Sequence, residues 1–128
     1  MTQSAHLPEG YQAVMPYLII PNADAFFGFM QKVFGAEQKM KILREGSNII
    51  MHAELTVGGS CIMYAQSNDD WKPQGAGMFI YVDNADECFQ KALDNGATEI
   101  MPVADQEYGR SGGVQDPFGN TWWITSVQ

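Results

Sequence analysis

The order of apolar and polar residues along this chain repeats once. "LIIPNADAFFGFMQKVFGAE" (residues 18–37) and "FIYVDNADECFQKALDNGATE" (79–99) both open on an apolar strand-like run and pass through Asn-Ala-Asp. Each then continues as an amphipathic helix that ends near a glycine. Asn22 and Asn84 have the side chain to accept from the first free helical N–H groups, and Glu87 follows Asn84 at capping-box spacing. Phe26, Phe29, Met30 and Val33 fall at i, i+3, i+4 and i+7, an apolar stripe that Phe89, Ala92 and Leu93 repeat in shorter form. Gly35 and Gly96 stand where a helix needs a left-handed residue to end.

Three strand-like runs follow each helix. In the first half they are "QKMKILR", "NIIMHAELTV" and "SCIMYAQ", the last two joined by a Gly58-Gly59 hairpin turn. In the second half they are "TEIMPVA", "GRSGGVQ" and "TWWITSV". The pattern predicts an α+β fold, a single domain over residues 1–128 built from two βαβββ modules, 11–66 and 77–127, joined by the polar linker 67–76. Each helix covers one face of its four-stranded sheet and leaves the other bare. Bringing the bare faces together, within a chain or between two, predicts a cupped, barrel-like sheet around a central cavity. On "NIIMHAELTV", strict alternation assigns Ile49, Met51, Ala53 and Leu55 to the core and Ile50, His52, Glu54 and Thr56 to the concave face.

Composition narrows the partners. A net charge of −8 with only seven Lys and Arg residues leaves no basic footprint for nucleic acid. No apolar run approaches the roughly 20 residues of a membrane span, and the polar N-terminal stretch has no secretory h-region. Cys61 and Cys88 sit inside predicted elements rather than in a spaced framework, so both are expected to be reduced and buried, as in a cytoplasmic protein.

The stretches "PEGYQAVMPYLII", "FMQKVFGAE", "IMHAELTVGGSCIMY" and "YGRSGGVQDPFGNTWWI", in this order, resemble the vicinal oxygen chelate superfamily of glyoxalases, bleomycin-resistance proteins and dioxygenases, and within it the PhnB-like subgroup. The resemblance runs over about residues 8 to 127 and implies paired βαβββ modules, a small-molecule cavity in the concave sheet and a homodimer. It also places Met15, Met63, Gly77 and Trp123 where the metal enzymes of the superfamily hold a divalent ion. None of the four is a usable donor for such an ion. A slip of one residue would substitute Pro16, Ile62, Met78 and Trp122, which are no better. No metal and no other cofactor is therefore expected. On this placement Trp122 packs with Ile124 against a helix, while Trp123 faces the cavity. The subgroup usually reads Gly-Asp-Arg-Ser-Gly and Phe-Gly-His where this chain has "YGRSG" and "FGN", so functions resting on those two polar groups do not carry over.

His52 and Glu54 are the imidazole and carboxylate expected to meet on the concave face, either as a general base with its orienting partner or as a structural hydrogen-bonded pair. Met15, Tyr17, Met63, Phe79, Tyr81 and Trp123 alternate toward that face, as an apolar ligand pocket or as a second core. Arg110, among Gly109, Gly112 and Gly113, offers a guanidinium to an anion, although such glycines also serve close strand contacts. His6 lies in a polar tail, and Ser60 and Ser111 have no triad partners at motif spacing. Three functions remain open: a metal-free small-molecule binder, a metal-independent lyase or isomerase using His52 and Glu54, and sequestration of a cationic antibiotic, which the acidic balance suits.

Overall fold

The computed structural model describes residues 6–127. Its elements run β1 (Tyr17–Ile20), α1 (Ala23–Phe34), β2 (Glu37–Leu43), β3 (Ile50–Val57) and β4 (Ser60–Gln66). They then repeat as β5 (Gly77–Tyr81), α2 (Ala85–Asp94), β6 (Thr98–Gln106), β7 (Gly109–Gln115) and β8 (Thr121–Ser126). Two four-stranded mixed sheets result, ordered β1-β4-β3-β2 and β5-β8-β7-β6. In each, the first strand pairs parallel to the last and the other pairs are antiparallel.

The local chemistry of the sequence sets these elements. The Asn22 and Asn84 side chains accept from Ala25 N and Glu87 N, at 3.2 and 3.0 Å. Gly35 closes α1 in the left-handed region, φ 71°, and its N–H reaches back to the Gln31 carbonyl. At the end of α2 the cap is Asn95, one residue before Gly96. Gly58 and Gly59, both at positive φ, turn β3 into β4.

Leu18, Ile20, Ala53, Leu55, Ile62 and Tyr64 of the first sheet share one core with α1, α2, Val114, Trp122 and Ile124. The Phe34 ring lies 4.8 Å from the Trp122 ring, and Phe26 meets Phe118 edge-on at 5.7 Å, so α1 packs onto the second module as well as its own. Both helices therefore belong to the shared core, and the opposite face of each sheet is cupped without closing into a barrel.

Strict alternation fails on β3. Ile42 pairs with His52 but Leu43 pairs with Ile50, which leaves Met51 as the extra residue of a bulge. A bulge shifts the alternation by one place. Ile50 is accordingly buried in the core, whereas Ile49 and Met51, assigned there by alternation, are exposed. Pro102 causes a similar irregularity on β6, where register shifts between Met101 and Ala104, because proline has no N–H for the ladder. Cys61 and Cys88 are free and buried. Among the described residues no helix is long and apolar enough to cross a membrane.

Candidate ligand-binding site on the first sheet

His52 and Glu54 do meet, and two tyrosines extend the pair. His52 Nε2 lies 2.7 Å from Glu54 Oε2, and the Tyr11 hydroxyl donates to Glu54 Oε1 at 2.5 Å. The Tyr17 hydroxyl lies 3.3 Å from His52 Nδ1. An ionised carboxylate only accepts, so His52 carries its proton on Nε2. In the neutral ring, Nδ1 then accepts from Tyr17. The Glu54 residue is 3% exposed, whereas Tyr17 is 47% exposed. The row thus runs from solvent inward.

Burial pushes the Glu54 carboxyl up, but the hydrogen bonds from Tyr11 and His52, with the charges of His52 and Lys39, outweigh it and hold the group below its ordinary value. The same contact raises Tyr11, because its hydroxyl proton serves the carboxylate. The segment carrying Tyr11 is fixed from both sides. Lys39 Nζ sits 3.8 Å over the Tyr11 ring and donates to the Gly10 carbonyl at 3.2 Å. Gln12 donates to the Cys61 carbonyl at 2.6 Å and accepts from the Cys61 N–H at 3.3 Å, so its side-chain amide pairs with β4 as a strand would. Chemically, the row can accept a proton from a molecule resting on Tyr17 and relay it toward Glu54.

A cavity of about 450 Å³ adjoins the row, with Tyr17 lining it. Ile19, Ile50, Met51 and Ala65 give it apolar walls, Gln66, Asn68 and Gln74 bring amides, and Arg44 and Trp71 complete the lining. A larger groove of about 730 Å³ runs between the end of α1 and the start of α2. Its charges are of both signs, including Lys32, Lys91, Asp83 and Glu87, and its thiol, Cys88, is pushed up to about 11 by burial. That groove offers no comparable row of partners.

Of the other residues singled out from sequence, Met63 adjoins the row, whereas those of the second sheet do not converge on it. Met63 pairs with both Tyr17 and Glu54 across the ladder, and Met15 precedes β1. Phe79, Tyr81 and Trp123 belong to the second sheet, where Phe79 contacts Tyr81 and Tyr108 at ring separations of 5.3 and 6.0 Å. Trp122 is buried and Trp123 half-buried, as their opposite faces require. Trp123 lies against Gly113, where a Cβ would fall 2.3 Å from its ring. A Cβ at Gly112 would likewise fall 2.7 Å from Val103 and 2.9 Å from Phe89.

Arg110 does not offer a free guanidinium. Its Nε and Nη2 donate to the two oxygens of Asp86 at 2.6 and 3.0 Å, and Nη1 donates to Asp105 at 3.1 Å. The Asp86 bonds, and then those of Asp105, raise Arg110 above its ordinary value. The anion reading of this residue yields to a structural ion pair at the start of α2. Ser111 shares a 2.8 Å hydrogen bond with Thr125, both buried.

Asn120 and Asp116 have structural duties. Asp116 accepts from Phe118 N, Asn120 N, Asn120 Nδ2 and Trp122 Nε1, all within 3.0 Å. Asn120 Oδ1 accepts from Ala76 N, tying this turn to the linker. The Asp-Pro-x-Gly signal marks the turn, but the reach from Asp116 to the indole needed the fold.

A divalent ion does not fit the positions that the resemblance assigns to its ligands. Met15, Met63, Gly77 and Trp123 bring no suitable donor. Among the described residues no three His, Cys, Asp or Glu side chains are grouped to hold one.

The profile of the Glyoxalase/Bleomycin resistance protein/Dioxygenase superfamily matches residues 11–124. The chain belongs to this superfamily. An uncharacterized protein of Mycobacterium bovis is 32% identical over 126 residues, covering 86% of this chain and 80% of that one. The crystal structure of protein PA1353 from Pseudomonas aeruginosa has a TM-score of 0.76 at 23% identity, covering 90% of this chain and 97% of that chain. A PhnB protein from Bacillus cereus has a TM-score of 0.73 at 18% identity, covering 91% and 100%. At such identities the solved structures establish the shared fold alone. Membership brings a fold that binds small molecules.

Proposed function

We propose that this superfamily member is a metal-free binding protein, PhnB-like in type, that holds a small amphipathic or aromatic molecule on the open face of its first sheet. The observation that carries the reading is the junction of the 450 Å³ cavity with the Tyr17–His52–Glu54–Tyr11 row at the shared Tyr17. An apolar cavity with a few placed polar groups is the usual form of a small-ligand site. The same row supports a second reading, a metal-independent lyase or isomerase in which His52 moves a proton and Glu54 orients it. Sequestration of a cationic antibiotic has less support. The cavity lining has no carboxylate, and its one permanently charged side chain is Arg44.

Pairing of two chains belongs to the same proposal. Phe79, Tyr81 and Tyr108 on the second module, and Met40, Ile42 and Leu43 on edge strand β2, are all exposed. So much exposed apolar surface favours a covering partner. The remaining site assignments (Met15, Met63, Phe79, Tyr81 and Trp123) would then describe a composite cup. Amide and methyl NMR during titration with 2-naphthol tests the binding reading. Shifts should concentrate at Tyr17, Ile19, Met51, Ala65 and Trp71. Shifts confined to the groove between the helices would overturn the assignment.

A further inference from the structure

We infer that the cavity on the first sheet selects a flat aromatic acid, with the carboxylate of the ligand on Arg44 and its ring against Trp71. This rests on the small-molecule reading above and adds the ligand's charge. The chain has two arginines, and the structure treats them differently. Arg110 is held by Asp86 and Asp105, whereas Arg44 forms no ion pair among the described residues. Arg44 nevertheless lines the cavity, in company with apolar walls and neutral amides. A guanidinium with its donors free, bordering an apolar space, matches a carboxylate held at two points better than any neutral group.

Trp71 supplies the second half of the argument. It is 67% exposed, although it is one of the three tryptophans in the chain and lies in an otherwise polar linker. The linker does not leave it loose. Asn68 Oδ1 accepts from Asp70 N and Trp71 N at 2.9 and 2.7 Å, and Asn68 N donates back to the Trp71 carbonyl at 2.8 Å. Further along, Gln74 and Ile19 exchange both backbone hydrogen bonds, fastening the linker to β1. At the β2–β3 turn, the Arg44 backbone N–H donates to the Ile49 carbonyl at 2.8 Å. The backbone at both anchors is thus fixed before a ligand arrives, so binding has only their side chains to order. A volume of about 450 Å³ suits one or two fused rings rather than an extended chain.

The opposing effect is the charge of the protein. Asp69 and Asp70 line a neighbouring hollow that shares Arg44, Gln66 and Asn68 with the cavity, and the chain carries −8 overall. If these carboxylates take up the guanidinium in solution, no preference for an acid will remain. Calorimetry with two probes of the same ring system, 2-naphthoate and 2-naphthol, which is uncharged at pH 7, decides the matter. The naphthoate should bind about 10–100-fold more tightly, the range of a charge-assisted hydrogen-bond pair. Arg44→Gln should remove that difference, costing naphthoate at least about tenfold more affinity than it costs 2-naphthol, and Trp71→Ala should weaken both probes. Equal affinities for the two probes, or naphthoate binding unaffected by Arg44→Gln, would overturn the inference while leaving the small-molecule reading intact. Failure of both probes to bind at millimolar concentration would overturn both.

Discussion

Replacing the two adjacent tryptophans one at a time separates core from open face. Trp122 is 2% exposed, packs 4.8 Å from Phe34 and donates its indole N–H to Asp116 at 2.8 Å. Trp123 is half-buried on the other face, with its ring over Gly113. Truncating a packed tryptophan to alanine costs about 3–5 kcal/mol. Trp122→Ala should fall at the upper end, since it also removes one of the donors to a buried carboxylate. Trp123 has solvent on one side and should cost about half as much, roughly 1.5–2.5 kcal/mol. For a domain of this size about 1 kcal/mol shifts Tm by roughly 3–5 °C. The expected losses are then about 10–20 °C for Trp122→Ala and about 5–10 °C for Trp123→Ala. Trp122→Phe, which keeps most of the packing and loses the donor, should lie between wild type and Trp122→Ala. Thermal unfolding followed by circular dichroism at one fixed protein concentration is the assay, because association would move Tm with concentration. A Trp123→Ala variant at least as damaged as Trp122→Ala would mean that the second sheet's open face is a packed core, and the reasoning from strand parity to exposure would fail.

Elemental analysis after dialysis should find no stoichiometric zinc, iron, nickel or manganese, and about one equivalent per chain would refute the donor-set argument. Light scattering at micromolar concentration should give a mass near twice the 14.2 kDa of one chain, and a monomer mass would remove the composite cup. Glu54, held below its ordinary 4.5 when folded, adds stability that is complete above that value and is lost as pH falls through its own lower one. The stability gap between wild type and Tyr11→Phe, measured by urea unfolding, should therefore be constant from 4.5 up to the range where tyrosine ionises, near 10, and narrow below 4.5. A gap that widens on acidification would contradict an ionised Glu54.

Local periodicity carried most of the fold because the helices and strands here are locally consistent. Asn22, Asn84 and Gly35 each solve a problem confined to one turn of chain, so the sequence around them announces the solution. The β3 bulge at Met51 is different. It depends on how β2 and β3 align across the turn at residues 44–49, and no pattern within β3 reports that register. One extra residue was enough to exchange Ile50 for Met51 in the core.

The candidate site divides along the same line. His52 and Glu54 were legible because they sit two apart on one strand, and strand geometry alone brings their side chains together. Tyr11 was not, because it reaches Glu54 from an irregular segment 43 residues away. Yet a carboxylate buried as deeply as Glu54 requires partners wherever the chain can supply them. Its need is met from three separate pieces of backbone: a hydroxyl from before β1, a ring N–H from β3 and the ammonium of Lys39 on β2. The charge on Glu54 therefore does more than offer chemistry to a ligand. It helps hold the segment at Tyr11 and Gln12 over β4, so discharging Glu54 should loosen that segment and the site together.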